Sequence, residues 1–256
     1  MKRMTTTALL ICLAAAPAVA QRLAYSGLDP SAHISEGEAT DYARNLGQWA
    51  GGSVDPHIAY VDSSEEGGGV LQLLTDAGFT DLTPILITDL DTANLAGFDL
   101  LWIGRVIGDS AAAEVALAEA NVQSYVDGCG NIVAEDQRDV DPNAYDWLPY
   151  GDGLGAVTSD TDVVLIADPT HPTMTGLTAA GLSGWGNSIH KYFTAPGSGG
   201  FDTILTDDES NSALIVREQS CSSILAIPTL SASGASVLAL FLAGAGIYVV
   251  TRRRVS

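Results

Sequence analysis

Lysine is nearly missing from the body of this 256-residue chain. Of its 11 basic residues, Lys2, Arg3, Arg252, Arg253 and Arg254 lie at the two ends, and Lys191 is the one lysine between them. All 31 acidic residues fall within 21–226, where six basic residues stand against them and the net charge is −25. A field of that sign repels nucleic acid and anionic lipid, so neither is expected as a partner of this part of the chain. It keeps a protein soluble and suits divalent cations, although a solvated acidic surface is its simplest account. Cysteine is scarce too, with Cys12, Cys129 and Cys221 the full set. No internal repeat is visible.

The first twenty residues read as a secretory signal. A basic start (Lys2, Arg3) precedes an apolar stretch over 8–16 and the triplet Ala18-Val19-Ala20, the small-x-small pattern that signal peptidase requires. Cleavage is expected between Ala20 and Gln21. The stretch is too short to span a membrane. Cys12 would leave with it, and an even pair in an exported chain favours one disulfide, Cys129 with Cys221. Closing such a loop stabilises a fold by roughly 4 kcal/mol in the chain-entropy model. Two buried free thiols and a catalytic thiol are the alternatives.

The other end carries a second address. No charged residue occurs over 231–251, and a membrane crossing needs about 20 apolar residues at about 1.5 Å each. The segment 235–251 is only just long enough, and its Ala and Gly make it weakly hydrophobic. Gly244 and Gly246 are too close for a GxxxG pairing motif. Arg252, Arg253 and Arg254 place the C-terminus in the cytoplasm and the domain outside. A plain, uncut anchor would look similar. With Ile227-Pro228-Thr229-Leu230 just ahead of it, however, the tail resembles the IPTL-type C-terminal sorting signal of Gram-negative surface proteins. Ser233-Gly234 stands where members of that family usually carry Trp-Gly. The resemblance implies an exosortase-type membrane enzyme as partner. It also implies a passage from the inner membrane, with the domain in the periplasm, to the cell surface or beyond. The chain thus divides into a signal peptide (1–20), an exported domain (21–226) and a sorting tail (227–256).

Residues 21–226 have the length of one domain with a sizeable core. Strands are predicted at 57–62, 83–90, 98–106, 131–135 and 162–167, with two more around a polar turn (207–211) over 201–217 and a last one at 222–226. The stretches 98–106 and 162–167 have the near-continuous apolar content of buried parallel strands. Helices are predicted from Gly69 to Gly78 and over 110–126. In the second, Ser110 is the expected N-cap and Val115, Ala118, Val122 and Val126 share one face. Residues 36–49 read as an amphipathic helix on the sheet edge, and 21–55 otherwise lack a period. The alternation predicts an α/β fold, a doubly wound and mainly parallel sheet of flavodoxin-like kind.

A second resemblance rests on FDLLWIG (98–104), the helix after it, YVDGCGNIVAED (125–136), and His171-Pro172-Thr173-Met174-Thr175-Gly176-Leu177. Over about 57–220 these resemble the class I glutamine amidotransferase-like fold and its trehalose-utilisation-like branch. That family places a nucleophilic Cys on a sharp strand-to-helix turn, where helix N–H groups lower its pKa. The equivalent turn here, 103–109, has no Cys and no glycine-flanked Ser, and Cys129 sits at the wrong pole of its helix. The Cys-His-Glu triad does not carry over, which argues against glutamine hydrolysis.

Two further clusters carry potential chemistry. His171 and His190, with Asp168 or Glu135, are candidates to meet at the carboxyl edge of the sheet as a metal site or an acid–base pair. Loop histidines of this kind are more often structural hydrogen-bonders, and the turn at Trp185 is either a packing corner or a carbohydrate platform. The oxygen-rich loop with Asp136, Asp139 and Asp141 lacks the Gly and distal Glu of an EF-hand and reads first as a solvated acidic loop, with Ca²⁺ the first ion to consider if it binds one. No cofactor is required by the sequence. The reading is therefore a non-catalytic, surface-sorted binding or structural protein. The alternative is a hydrolase or metal-dependent enzyme acting on a small sugar or amide.

Overall fold

A strand that the sequence pattern does not announce runs through the middle of the sheet. In the computed structural model, which describes residues 19–62, 69–105, 109–137 and 145–221, strand β1 (Val19–Ser26) lies between β5 (Ile132–Ala134) and β10 (Ser212–Cys221). It is parallel to the first and antiparallel to the second. The chain divides after Cys221, and all described residues belong to its first unit. The expected strand at 222–226, the tail with Ile227, Pro228, Thr229, Leu230, Arg252, Arg253 and Arg254, and Ala18 lie outside the described residues, as do Asp139 and Asp141. Among the described residues no helix is long and apolar enough to cross a membrane.

The architecture is α/β. After β1 come α1 (Ala39–Gly51), β2 (Ile58–Asp62), α2 (Gly69–Asp76), β3 (Leu82–Leu86), β4 (Leu100–Ile103), α3 (Asp109–Asp127) and β5. Then follow β6 (Ala156–Thr161), β7 (Leu165–Ile166), α4 (Ala179–Leu182), β8 (Ile189–Phe193), β9 (Asp202–Thr206) and β10. The sheet order is β3-β2-β4-β5-β1-β10-β8-β6, with β9 paired to both β10 and β7. The strands from β3 to β1 are parallel neighbours, whereas β10, β8, β6, β9 and β7 pair antiparallel. The parallel expectation thus describes one half of a mixed sheet.

Strand pleating sends alternate side chains to two layers. Ala24, Tyr60, Trp102, Val133 and Leu214 pack with the buried faces of α1 and α2. Leu23, Tyr25, Val61, Ile103, Ala134 and Ile215 pack on the other side with Val115, Ala118, Val122 and Val126 of α3. In α1 the buried set Tyr42, Ala43, Leu46, Trp49 and Ala50 follows helical spacing. The helix stops at Gly52, whose φ of 72° suits glycine and lets its N–H donate to the Gln48 carbonyl at 3.0 Å.

Several boundaries shift for physical reasons. The α1 segment packs on β1, β4 and β5 rather than on the sheet edge, because β1 extends the sheet beneath it. The run at 162–167 is no buried strand: only Leu165–Ile166 pair, at the periphery, with Val163 and Leu165 about 40 % exposed and Val164 alone fully inside. The first strand of that hairpin layer is the polar β6, which has no apolar period to betray it. Residues 87–89 leave β3 in a 3₁₀ turn. Strand β3 is an edge strand, which is why it tolerates Pro84, a residue with no N–H to donate. Helix α3 begins at Asp109, one residue ahead of the start expected at 110.

Candidate functional site

The parallel strands β1, β4 and β5 end side by side, and each is followed within a few residues by an ionisable group: Asp29, Arg105 and Glu135. In open α/β sheets this carboxyl edge is where ligands bind. Asp29 opens a 3₁₀ turn (Pro30–Ala32), and that turn carries His33 back over it, Nε2 lying 3.3 Å from Asp29 Oδ1. His190, on β8, brings its own Nε2 to 3.1 Å of the same oxygen. The other carboxylate oxygen, Oδ2, is held by Arg105 Nη1 at 3.2 Å. Asp29 is fully buried and His190 nearly so. The two imidazoles lie stacked, 6.3 Å between centroids and 18° between planes.

Gly27 makes this convergence possible. Its carbonyl accepts the His190 N–H at 2.8 Å, and a Cβ at Gly27 would fall 1.8 Å from the Lys191 carbonyl oxygen. Only a residue without a side chain lets β8 pass close enough to deliver His190.

A second buried carboxylate flanks the cluster. Glu135 Oε1 accepts the Trp102 indole N–H at 2.7 Å, while Oε2 accepts the Ser31 N–H at 3.2 Å and the Ser31 hydroxyl. Burial pushes the Glu135 pKa up to about 8; the hydrogen bonds from Ser31 and Trp102 oppose this, and the Asp29 charge adds to it. Burial also pushes Asp29 up, but the imidazoles of His190 and His33 outweigh it and leave its pKa below the usual value. Contact with Asp29 raises the His33 pKa against its own desolvation. Gln137, fully buried next door, donates its Nε2 to the carbonyls of Gly104 (3.2 Å) and Glu135 (2.9 Å), and its Oε1 has no hydrogen-bond partner among the described residues. The site therefore joins a carboxylate, two imidazoles and a guanidinium to a carboxyl group held partly neutral near neutral pH. The His33 and His190 nitrogens and the Asp29 oxygen lie within 4.8 Å of one another, the arrangement of groups that could hold a metal ion.

The residues expected from the sequence are not all here. His190 and Glu135 are, but His171 sits elsewhere. It starts a 3₁₀ turn (Pro172–Met174), contacts Thr173 Oγ1 through Nδ1 at 2.7 Å and packs edge-on against Trp49, 5.1 Å between centroids. Desolvation lowers its pKa. Trp49 passes its carbonyl to Arg22, near the start of β1, so His171 belongs to the pole of the sheet opposite Asp29. Asp168 accepts the Thr170 N–H (2.9 Å) and hydroxyl (2.7 Å) in a local turn. Asp136 is buried, not solvated, and its N–H donates to the Leu28 carbonyl at 3.2 Å. Trp185 is a packing corner: it is 1 % exposed and donates Nε1 to the Gly181 carbonyl at 3.0 Å. Cys129 and Cys221 lie at disulfide distance, with Cα atoms 5.8 Å apart.

A cleft of about 350 Å³ opens at the amino end of β4 and β5, among Phe98, Asn121, Tyr125 and Cys129. It has no titrating pair to do chemistry, so the buried cluster at the other edge is the better candidate. No protein-family model, curated protein or solved structure matches the chain.

Proposed function

We propose that this is an exported, surface-sorted protein whose α/β domain binds a ligand rather than transforming it, and whose tail is read by an exosortase-type enzyme. The observation that carries this reading is the tail itself: Ile227-Pro228-Thr229-Leu230, an uncharged stretch over 231–251, then Arg252-Arg253-Arg254. Support for binding over covalent catalysis comes from the cysteines, which are engaged with each other and lie away from the carboxyl edge. The place of Cys221 supports processing as well. It ends β10, is tied to Cys129, and stands six positions ahead of Ile227, so the folded body closes just before the signal begins. The signal peptide of this reading would be cut inside the span of β1, leaving Gln21 to Ser26 to keep their pairing with β10 and Leu23 to Tyr25 theirs with β5.

Intact-mass measurement of the protein from cells with an active sorting enzyme tests the proposal. The expected product begins at Gln21 and lacks Arg252, Arg253 and Arg254. Recovery of a full-length C-terminus from those cells would overturn it.

A further inference from the structure

We propose that Asp29, His33 and His190 hold a divalent transition-metal ion of the Zn²⁺ class, through Asp29 Oδ1 and the Nε2 atoms of both histidines. The inference rests on the reading of the carboxyl edge as a binding site and names what it binds first. Three separate stretches of chain supply the donors: the turn after β1, its 3₁₀ continuation, and β8.

The spacing fits an ion. Bonds of about 2.0–2.1 Å in tetrahedral geometry put ligand atoms about 3.3–3.4 Å apart. The Asp29 oxygen lies 3.3 Å from His33 Nε2 and 3.1 Å from His190 Nε2, so an ion entering between them needs only a small spread of the side chains. The ligand chemistry selects the metal class. Two imidazoles and one carboxylate oxygen suit Zn²⁺ and its first-row neighbours. Ca²⁺ takes six to eight oxygens, and this cluster offers it far too few.

Partners behind two of the three ligands point the same way. Ligating histidines usually give their second nitrogen to a carboxylate or carbonyl, which fixes the ring. His33 Nδ1 lies 3.4 Å from Glu36 Oε1, and Arg105 holds the Asp29 oxygen that faces away from the imidazoles. The Arg105 charge opposes a cation, but Asp29, Glu36 and the strongly acidic body of the chain offset it. Three protein ligands leave an open position for water or a ligand, as in zinc sites that bind small molecules rather than merely cross-link the fold.

Co²⁺ and Zn²⁺ titrations of the chelator-treated full chain, kept soluble in mild detergent, test the site. The expected result is about one ion per chain, with the visible absorption of a low-coordinate Co²⁺ centre displaced by Zn²⁺. His33→Ala and His190→Ala should each weaken binding by roughly tenfold or more. Their metal-free melting curves serve as the folding control. Should His190→Ala fail to fold, His33→Ala decides, since that side chain is at the rim of the cluster. Binding of equal strength in His33→Ala and the unaltered chain, or no binding of either metal, would overturn the proposal. So would binding abolished by Asp136→Asn but untouched by His33→Ala. The C-terminal mass is independent of all these outcomes, so failure of the metal site and failure of the sorting reading are told apart.

Discussion

Glu135 shows how one buried carboxyl sets the behaviour of the site. It is 1 % exposed and accepts from Ser31 and Trp102, yet burial still lifts its pKa to about 8. Its unfolded value is about 4.3. The folded pKa is the higher, so the folded state binds the proton more tightly. The stabilising contribution is complete below about pH 4 and is lost as pH rises through about 8. Glu135→Gln removes that proton linkage while keeping an oxygen for one of the donors. Denaturant unfolding across pH 4–9 should then show a flatter decline of stability toward alkaline pH than the unaltered chain; an identical slope would mean that Glu135 does not titrate in this window. In the sequence Glu135 was visible as a candidate because it ends an apolar run, and His190 because it follows the turn at Trp185. Asp29 and His33 were not. Their Asp-Pro-x-x-His spacing is informative only after a strand, and the strand before it gives no signal.

That strand is the main lesson at the level of elements. The two flanks of β1 are the buried strands β5 and β10, but its own residues include Gln21, Arg22 and Ser26, which break any apolar run. Gln21 is nevertheless buried, its amide satisfied by the Val126 carbonyl and by Gln219. Side-chain hydrogen bonding across the sheet thus replaces the hydrophobicity that sequence reading relies on. The strands β2, β4 and β5 and the helix α3 were legible because each buries an unmixed apolar face, whereas 162–167 misled because an apolar run at an edge faces solvent. The Cys129–Cys221 link ties the turn after α3 to the end of β10 across a sequence separation of 92 residues. Loops of that length lose the most unfolded-state entropy on closure, roughly 4 kcal/mol in the chain-entropy model. The Cys129→Ser, Cys221→Ser double variant should therefore have a lower denaturant midpoint and a steeper slope, the freed unfolded chain exposing more surface, with an unfolding free energy reduced by an amount of that order. Equal midpoints would show that the link contributes nothing to stability.

The whole molecule is governed by its imbalance of charge. Six basic residues serve the region 21–226, and all five whose surroundings are described engage specific partners. Arg22 pairs with Glu218 at 3.2 Å, Arg44 with Asp41, and Arg105 with Asp29, while Arg217 lies over the Tyr150 ring at 3.6 Å from its centroid. Lys191, nearly buried, donates to the Thr158 hydroxyl at 3.0 Å. Little positive charge is left to offset the rest of the 31 carboxylates, so the compact state carries net self-repulsion. Added salt shortens the range of that repulsion, from about 30 Å at 0.01 M to about 3 Å at 1 M. A fold held mainly by surface ion pairs would weaken under the same change, since screening acts on attraction as well. For this chain the repulsive side dominates, and NaCl should raise the thermal midpoint steadily through the range in which the screening length falls below the spacing of surface charges. Chelator present throughout separates this general effect from metal binding at Asp29, His33 and His190: ionic screening survives the chelator and the His33→Ala change, and site occupancy does not. A midpoint that falls with NaCl would place the balance with the ion pairs and reverse this reading of the charge.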